Sequence, residues 1–313
     1  MNELCKDRSK LFISVIIPVF NDVRGLEKCL QALSNQTYDK NSYEIIVVDN
    51  NSDEDIKSVV ERFDAHYTFE SQPGSYVARN KGIFIAKGEI IAFTDADCIP
   101  TKDWIERGVS KLLETPNCGL VGGKIEVIFK NPSHPTAVEL FDSITAFPQK
   151  HFVEKDNFSA TANAFTFRSV INHVGDFNSK LKSNGDREWG NRVFSSNYKL
   201  VYADDTGVFH PARYSYTQMR KKYARLVGGQ YDLQQNQNTY SLSLFIRSVL
   251  KDLKYSIIQV LELLFTKKIN SATDTKIHNT WHQIQLTRLI IFIRYVMVAE
   301  RIRLHFGGQS QRG

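Results

Sequence analysis

The sequence predicts an α/β protein: a doubly wound, mostly parallel sheet with helices on both faces, extended at the C-terminus by further helices. Three observations predict it. Continuous apolar runs recur at 13–20, 44–48 and 89–94, as expected of strands buried on both faces. Helix-spaced segments stand between them, and crossovers of that length imply parallel pairing with right-handed connections. The chain has 313 residues, 42% hydrophobic and 24% charged, enough for one large domain plus an extension.

Ile13 to Phe20 is the first strand. Asp22 to Asn35 follows as a helix, with Val23, Leu26, Leu30 and Leu33 on one face. Glu44 to Val48 is the second strand, closed by the polar run Asp49 to Asp53. Glu54 to Phe63 fits a short helix, and Tyr67 to Glu70 a third strand. Pro73-Gly74-Ser75 breaks the chain. Ser75 is expected to cap a helix reaching Ala86, with Gly88 as its C-terminal glycine. The fourth strand ends at Asp95. Beyond it, Thr101 to Glu114 reads as a helix and Gly119 to Phe129 as a strand. Asn157 to Phe167 is polar and rich in small residues, and Val170 to Val174 turns apolar. Gly185 to Trp189 opens another helix. Leu200 to Tyr202 and Gly207 to Phe209 flank an acidic turn that leads into His210-Pro211.

Chemistry concentrates at strand ends. In an extended strand, side chains at i and i+2 share a face. Asp95 and Asp97, with only Ala96 between, would therefore leave the fourth strand together. Paired carboxylates suit a hard divalent cation shared with substrate phosphates, although a solvated loop reads the same. In doubly wound sheets ligands bind outside the carboxyl ends of the strands. Pro18 to Asn21, Asp49-Asn50 and Asp95-Ala96-Asp97 all fall on that rim. No G-x-G-x-x-G or Gly-rich phosphate loop follows the first strand, which argues against a dinucleotide oxidoreductase or a nucleotidyltransferase. Cys5, Cys29, Cys98 and Cys118 form no C-x-x-C pair, so neither a disulfide framework nor a zinc site is indicated and a reducing cytoplasm fits. Lys6, Arg8 and Lys10 precede an apolar run too short, and too soon broken by Pro18, for a signal peptide.

Four segments in this order resemble glycosyltransferase family 2: 14–21 (SVIIPVFN), 45–52 (IIVVDNNS), Ala78-Arg79-Asn80, and 88–97 (GEIIAFTDAD). The resemblance covers roughly residues 12–212. It implies a GT-A fold and an inverting transferase that uses a nucleoside-diphosphate sugar, a UDP-sugar foremost, with Mn²⁺ or Mg²⁺. Pro18 and the backbone to Phe20 would then border the base, and Asp49 and Asn50 would reach the base or ribose. Arg79 and Asn80 would lie near the nucleotide, and Asn163 near the donor sugar. Asp97 would ligate the metal, with Asp95 nearer the ribose or a metal-bound water, and His210 would join at the metal or diphosphate. Asp186 aligns with the catalytic base. Gly185 stands where the family usually has Glu, and Glu188 and Trp189 would face the acceptor. Other roles remain open: Asp49 or Asp186 as helix caps, Arg79 paired with a surface carboxylate, His210 as a structural histidine, Glu188 and Trp189 as helix packing.

The net charge of +6 is unevenly spread. Residues 213–313 carry 16 Lys+Arg against 5 Asp+Glu, leaving 24 against 29 for residues 1–212. A basic half implies an anionic partner. Leu242 to Phe265 and Leu286 to Phe306 are apolar but interrupted by charges, whereas a spanning helix needs about 20 mostly apolar residues. They read as amphipathic helices that lie on a membrane interface or pack on the protein. No aromatic-interleaved surface points to nucleic acid. The expectation is a transferase domain over 1–212 and a basic helical extension over 213–313, cytoplasmic or peripheral on the inner membrane face. The acceptor would be a glycan or a lipid-linked molecule. A catalytically silent relative serving as a binding or scaffold subunit is the alternative, favoured by Gly185.

Overall fold

Strand β1 (Ile13–Val19) is buried along almost its whole length because both its faces are apolar. It is central to the parallel half of the sheet. The computed structural model describes residues 11–269 and 277–310; Cys5 and the basic residues Lys6, Arg8 and Lys10 lie outside them. The elements follow in the order α1 (Val23–Ser34), β2 (Tyr43–Asp49), α2 (Ile56–Val60), β3 (His66–Phe69), α3 (Ser75–Ile85), β4 (Ile90–Thr94), β5 (Ile99–Pro100) and α4 (Trp104–Glu114). Then come β6 (Cys118–Ile128), α5 (Ala137–Thr145), α6 (Gln149–Glu154), β7 (Asn163–Phe167), α7 (Arg168–Val174), α8 (Gly185–Ser195), β8 (Lys199–Pro211), α9 (Tyr216–Asn236), α10 (Leu242–Thr266) and α11 (Thr280–His305).

The described strands form one sheet in the order β3-β2-β1-β4-β7-β6-β8-β5. β2 and β4 pair parallel with β1, and β3 pairs parallel with β2. β7 runs antiparallel to both β4 and β6, and β5 antiparallel to β8. The sheet is thus parallel where βα crossovers build it and antiparallel beyond β4.

Among the described residues the chain falls into two compact units. One is drawn from 11–126, Phe147–Lys180 and Gly185–His210, the other from Val127–Ala146, Leu181–Asn184, 211–269 and 277–310. The first unit's core gathers the β1, β2 and β4 side chains with Leu26, Leu30, Leu33, Trp104 and Phe165. The second has its own core, of Phe141, Met219, Leu263 and the inner face of α11 from Leu286 to Ile293. Within it Asp142 is fully enclosed and held by Arg213 and Lys222. Burial pushes Lys222 down to about 8, against the pull of Asp142.

Four local expectations change. Ser75 does not cap α3 but is its first residue; Gly74 holds the cap position, without a side-chain bond. Gly88 does not end that helix, which stops at Ile85. Its N–H donates to Ser14 Oγ at 2.8 Å, and a Cβ there would stand 2.4 Å from the Ser14 nitrogen, so close packing on β1 explains the glycine. The presumed acidic turn lies within the continuous strand β8. Asp204 and Asp205 simply point outward, the latter to Arg107 at 3.2 Å. The fourth strand stops at Thr94, so Asp95 to Asp97 is not extended.

Candidate active site

The carboxyl end of β4 runs into a turn in which the Cys98 N–H donates to the Asp95 carbonyl. The turn, not a shared strand face, presents the two carboxylates, and both are half-exposed. They have different partners. Asp95 is paired with Arg79, which α3 brings up buried beneath it. Asp97 meets His210, and the strand register explains how. β5 pairs with β8 through Ile99 and Phe209, which sets His210 beside the turn. Asp97 Oδ2 and His210 Nε2 are 3.4 Å apart. Phe147 packs on the imidazole, ring centres 4.7 Å apart, and helps fix its orientation. The Cys98 thiol joins this cluster, with donor atoms within 4.8 Å. Burial and then the charges of Asp97 and Asp95 push the thiol well above its ordinary value. Of these three donors, the carboxylate and the imidazole are the ones that suit Mn²⁺ or Mg²⁺, and a thiol suits softer metals.

A third carboxylate, Asp186, sits in the first turn of α8. Its Oδ1 accepts from the Arg187 N–H at 3.0 Å and from the Tyr76 hydroxyl at 3.3 Å. Burial raises its pKa, against the Arg187 N–H, the charge of Arg79 and the Tyr76 bond, which act downward. Arg79 lies 5.7 Å from the Tyr76 ring centre. One buried guanidinium therefore acts on both Asp95 and Asp186. The Tyr76 ring also accounts for Gly185. A Cβ at 185 would meet that ring at 2.6–2.8 Å, leaving no room for a larger residue.

The description "Glycosyl transferase family 2" matches this chain over residues 14–175. The chain belongs to glycosyl transferase family 2. Glycosyltransferase AglE of Haloferax volcanii is 41% identical over 225 residues, covering 70% of this chain and 73% of its own. A Methanococcus voltae dolichyl N-acetyl-α-D-glucosaminyl phosphate 3-β-D-2,3-diacetamido-2,3-dideoxy-β-D-glucuronosyltransferase is 28% identical over 47% of this chain and 49% of its own. A mannosyltransferase from Pyrobaculum calidifontis, solved with GDP-Man and Mn²⁺, matches the fold with a TM-score of 0.60. That match covers 94% of this chain and 87% of the other at 17% identity. The protein is a glycosyltransferase of GT-A fold.

Several residues expected to touch ligand are instead tied into the enzyme. Asn163 is fully enclosed. Its Oδ1 accepts from Trp104 Nε1 at 2.9 Å, and its Nδ2 donates to the Lys124 and Thr206 carbonyls, both at 2.8 Å. It braces the sheet and has no face for a sugar. Asn80 makes a reciprocal pair with the Phe177 backbone at 2.8 and 3.1 Å, so it positions a loop. Buried Asn50 donates to the Glu70 and Gln72 carbonyls and accepts from the Gly74 N–H. Its side chain shapes the loop before α3 and does not offer base recognition. Asp49 is also buried, accepting from the Ser52 N–H and the Tyr67 hydroxyl, each at 3.0 Å. It caps no helix, because α2 is capped by Asp55. Burial and the bond to Asp49 push Tyr67 up to about 12.

Trp189 is buried and donates Nε1 to the Gly175 carbonyl at 2.8 Å. Glu188 holds Arg192 at 2.7 and 3.0 Å. These are bonds of helix packing, and Trp189 offers no surface to an acceptor. Half-buried Pro18 and exposed Phe20 stay open on the rim. Sequence reasoning missed Tyr76 and Phe147. Tyr76 had a readable signal: it precedes Arg79 by three residues, the spacing that puts two side chains on one helix face.

Proposed function

We propose that this glycosyltransferase moves a sugar with inversion from a nucleoside-diphosphate donor, assisted by Mn²⁺ or Mg²⁺, to a hydroxyl of a glycan or lipid-linked acceptor. The observation that carries the reading is the 3.4 Å approach of Asp97 Oδ2 to His210 Nε2 on the sheet's ligand-binding rim. Two donors at that separation fit neighbouring positions around one cation with bonds of about 2.0–2.2 Å. A carboxylate and an imidazole together suit Mn²⁺ well. When bound, the cation supplies Lewis-acid stabilisation of the departing diphosphate.

The chain's own groups do the rest. Asp186 accepts the proton as the acceptor oxygen bonds to the anomeric carbon and the donor's carbon–oxygen bond breaks on the opposite face. Burial makes Asp186 a stronger base than an ordinary carboxylate. Arg79 holds Asp95 in place, toward the ribose in this reading. Pro18 and Phe20 border the base. Residues 1–212 carry this chemistry, and 213–313 form the basic extension.

The Pyrobaculum structure, with its GDP-Man and Mn²⁺, supports this donor class and metal. A UDP-sugar is the first donor to test and a GDP-sugar the second. The Methanococcus relative is named for a dolichyl-phosphate-linked sugar, which supports a lipid-linked acceptor. The silent-scaffold alternative rested on Gly185, and the Tyr76 ring gives that glycine a steric reason of its own. Release of nucleoside diphosphate from a donor panel with Mn²⁺ tests the assignment. Asp186→Asn should lower kcat by about 10²–10⁴-fold while donor binding persists. Unchanged turnover in that variant would remove Asp186 as the base.

A further inference from the structure

Helix α10 carries apolar side chains on its outer face as well as on its inner one. A surface helix turns its apolar stripe to the core and its polar face outward. On α10, Phe245, Val249, Val260 and Leu263 turn inward, and Ser248, Asp252, Ser256 and Gln259 turn inward beside them. Asp252 is held by Arg301 at 2.7 Å and Gln259 by Arg294 at 2.6 Å, both from α11. Outward, at steps of three and four, stand Ile246, Leu250, Leu253, Ile257, Leu261 and Leu264, each 46–62% exposed. On α11, Trp281 and Tyr295 are exposed as well. An apolar surface of this kind marks an interaction site.

Charge says what covers it. Arg247, Lys251 and Lys254 are exposed along one margin of the stripe. Of the acids on α10 and at the end of α11, Asp252 is buried with Arg301 and Glu300 with Arg303, and Glu262 is half-buried. An apolar stripe bordered by Arg247, Lys251 and Lys254 matches an anionic lipid surface. No helix among the described residues is long and apolar enough to cross a membrane.

We propose that this face of α10 docks on a membrane bearing anionic headgroups, with Ile246, Leu250, Leu253, Ile257, Leu261 and Leu264 in the acyl boundary and Arg247, Lys251 and Lys254 at headgroup level. The inference uses no part of the transfer chemistry, and its readout needs no turnover.

Flotation of the full chain with phosphatidylcholine vesicles, with and without phosphatidylglycerol, tests it. The wild type floats with the anionic vesicles and much less with the neutral ones. Trp281 is the one exposed tryptophan, since Trp104 and Trp189 are buried, so its emission shifts to the blue on binding. Leu250→Asp with Ile257→Asp lowers the floated fraction about tenfold or more, as does Lys251→Glu with Lys254→Glu, both with wild-type circular dichroism. Three results would overturn the proposal. The wild type could stay in solution with both vesicles, or float equally with both. It could also form a concentration-dependent dimer that Leu250→Asp with Ile257→Asp abolishes, with no vesicle binding, which would give the face to a second copy.

Discussion

The rim of the sheet and the outer face of α10 treat side chains in opposite ways. At the rim, polar groups that look available are bonded inward: Asn50, Asn80 and Asn163 all hold backbone, and only a few acids stay partly open. On α10, a row of apolar groups that looks like core is exposed, while Asp252 is turned in among the packed helices. Residue type alone does not reveal which region meets a partner. Burial set against polarity does, because each inversion has a free-energy cost that packing within the chain does not explain.

The contrast breaks most readily at Asn163. Asn163→Ala orphans the Trp104 N–H and two carbonyls. Since each unsatisfied buried group costs about 1–3 kcal/mol, a loss of at least about 3 kcal/mol is expected in denaturant unfolding. Ile257→Ser on α10 should stay within about 0.5 kcal/mol. Equal losses at both sites would erase the distinction. A middle-sized effect is expected at Gly185. Gly185→Ala drives a methyl group into the Tyr76 ring and should cost about 1–3 kcal/mol. Part of that should return in a Tyr76→Leu background, so a double-mutant cycle with no coupling energy would show that the ring is not the constraint.

The smallest effect concerns pH. As the proposed base, Asp186 has to be deprotonated to act, so kcat should rise with pH through a pKa that burial holds above the ordinary carboxylate value. The Tyr76 bond lowers that pKa. Tyr76→Phe removes it, so the acid limb of the kcat profile should move to higher pH. A downward shift would contradict the assigned roles.

Much of this was legible in the sequence. Continuous apolar runs announced β1, β2 and β4, because strands buried on both faces permit little else. Their place at strand ends put Pro18 to Asn21, Asp49-Asn50 and Asp95 to Asp97 on one rim. Asn163 misled because a polar residue among small ones reads the same whether it meets ligand or closes a network of hydrogen bonds inside. Asp204-Asp205 read as a turn because adjacent acids usually are solvated, and β8 solvates them while remaining a strand. β5 has two residues, too few to leave a pattern, yet its pairing with β8 sets His210 beside Asp97. Tyr76 escaped because an aromatic residue on a helix reads as core, and only the three-dimensional contact with Asp186 shows its second role.

The most direct test is calorimetry of UDP and GDP binding with and without Mn²⁺, in wild type and in Asp97→Asn. The account predicts uptake that Mn²⁺ strengthens in the wild type and a loss of that strengthening in the variant. Nucleotide binding indifferent to Mn²⁺ and Mg²⁺, or an Asp97→Asn variant that responds to metal as the wild type does, would contradict it.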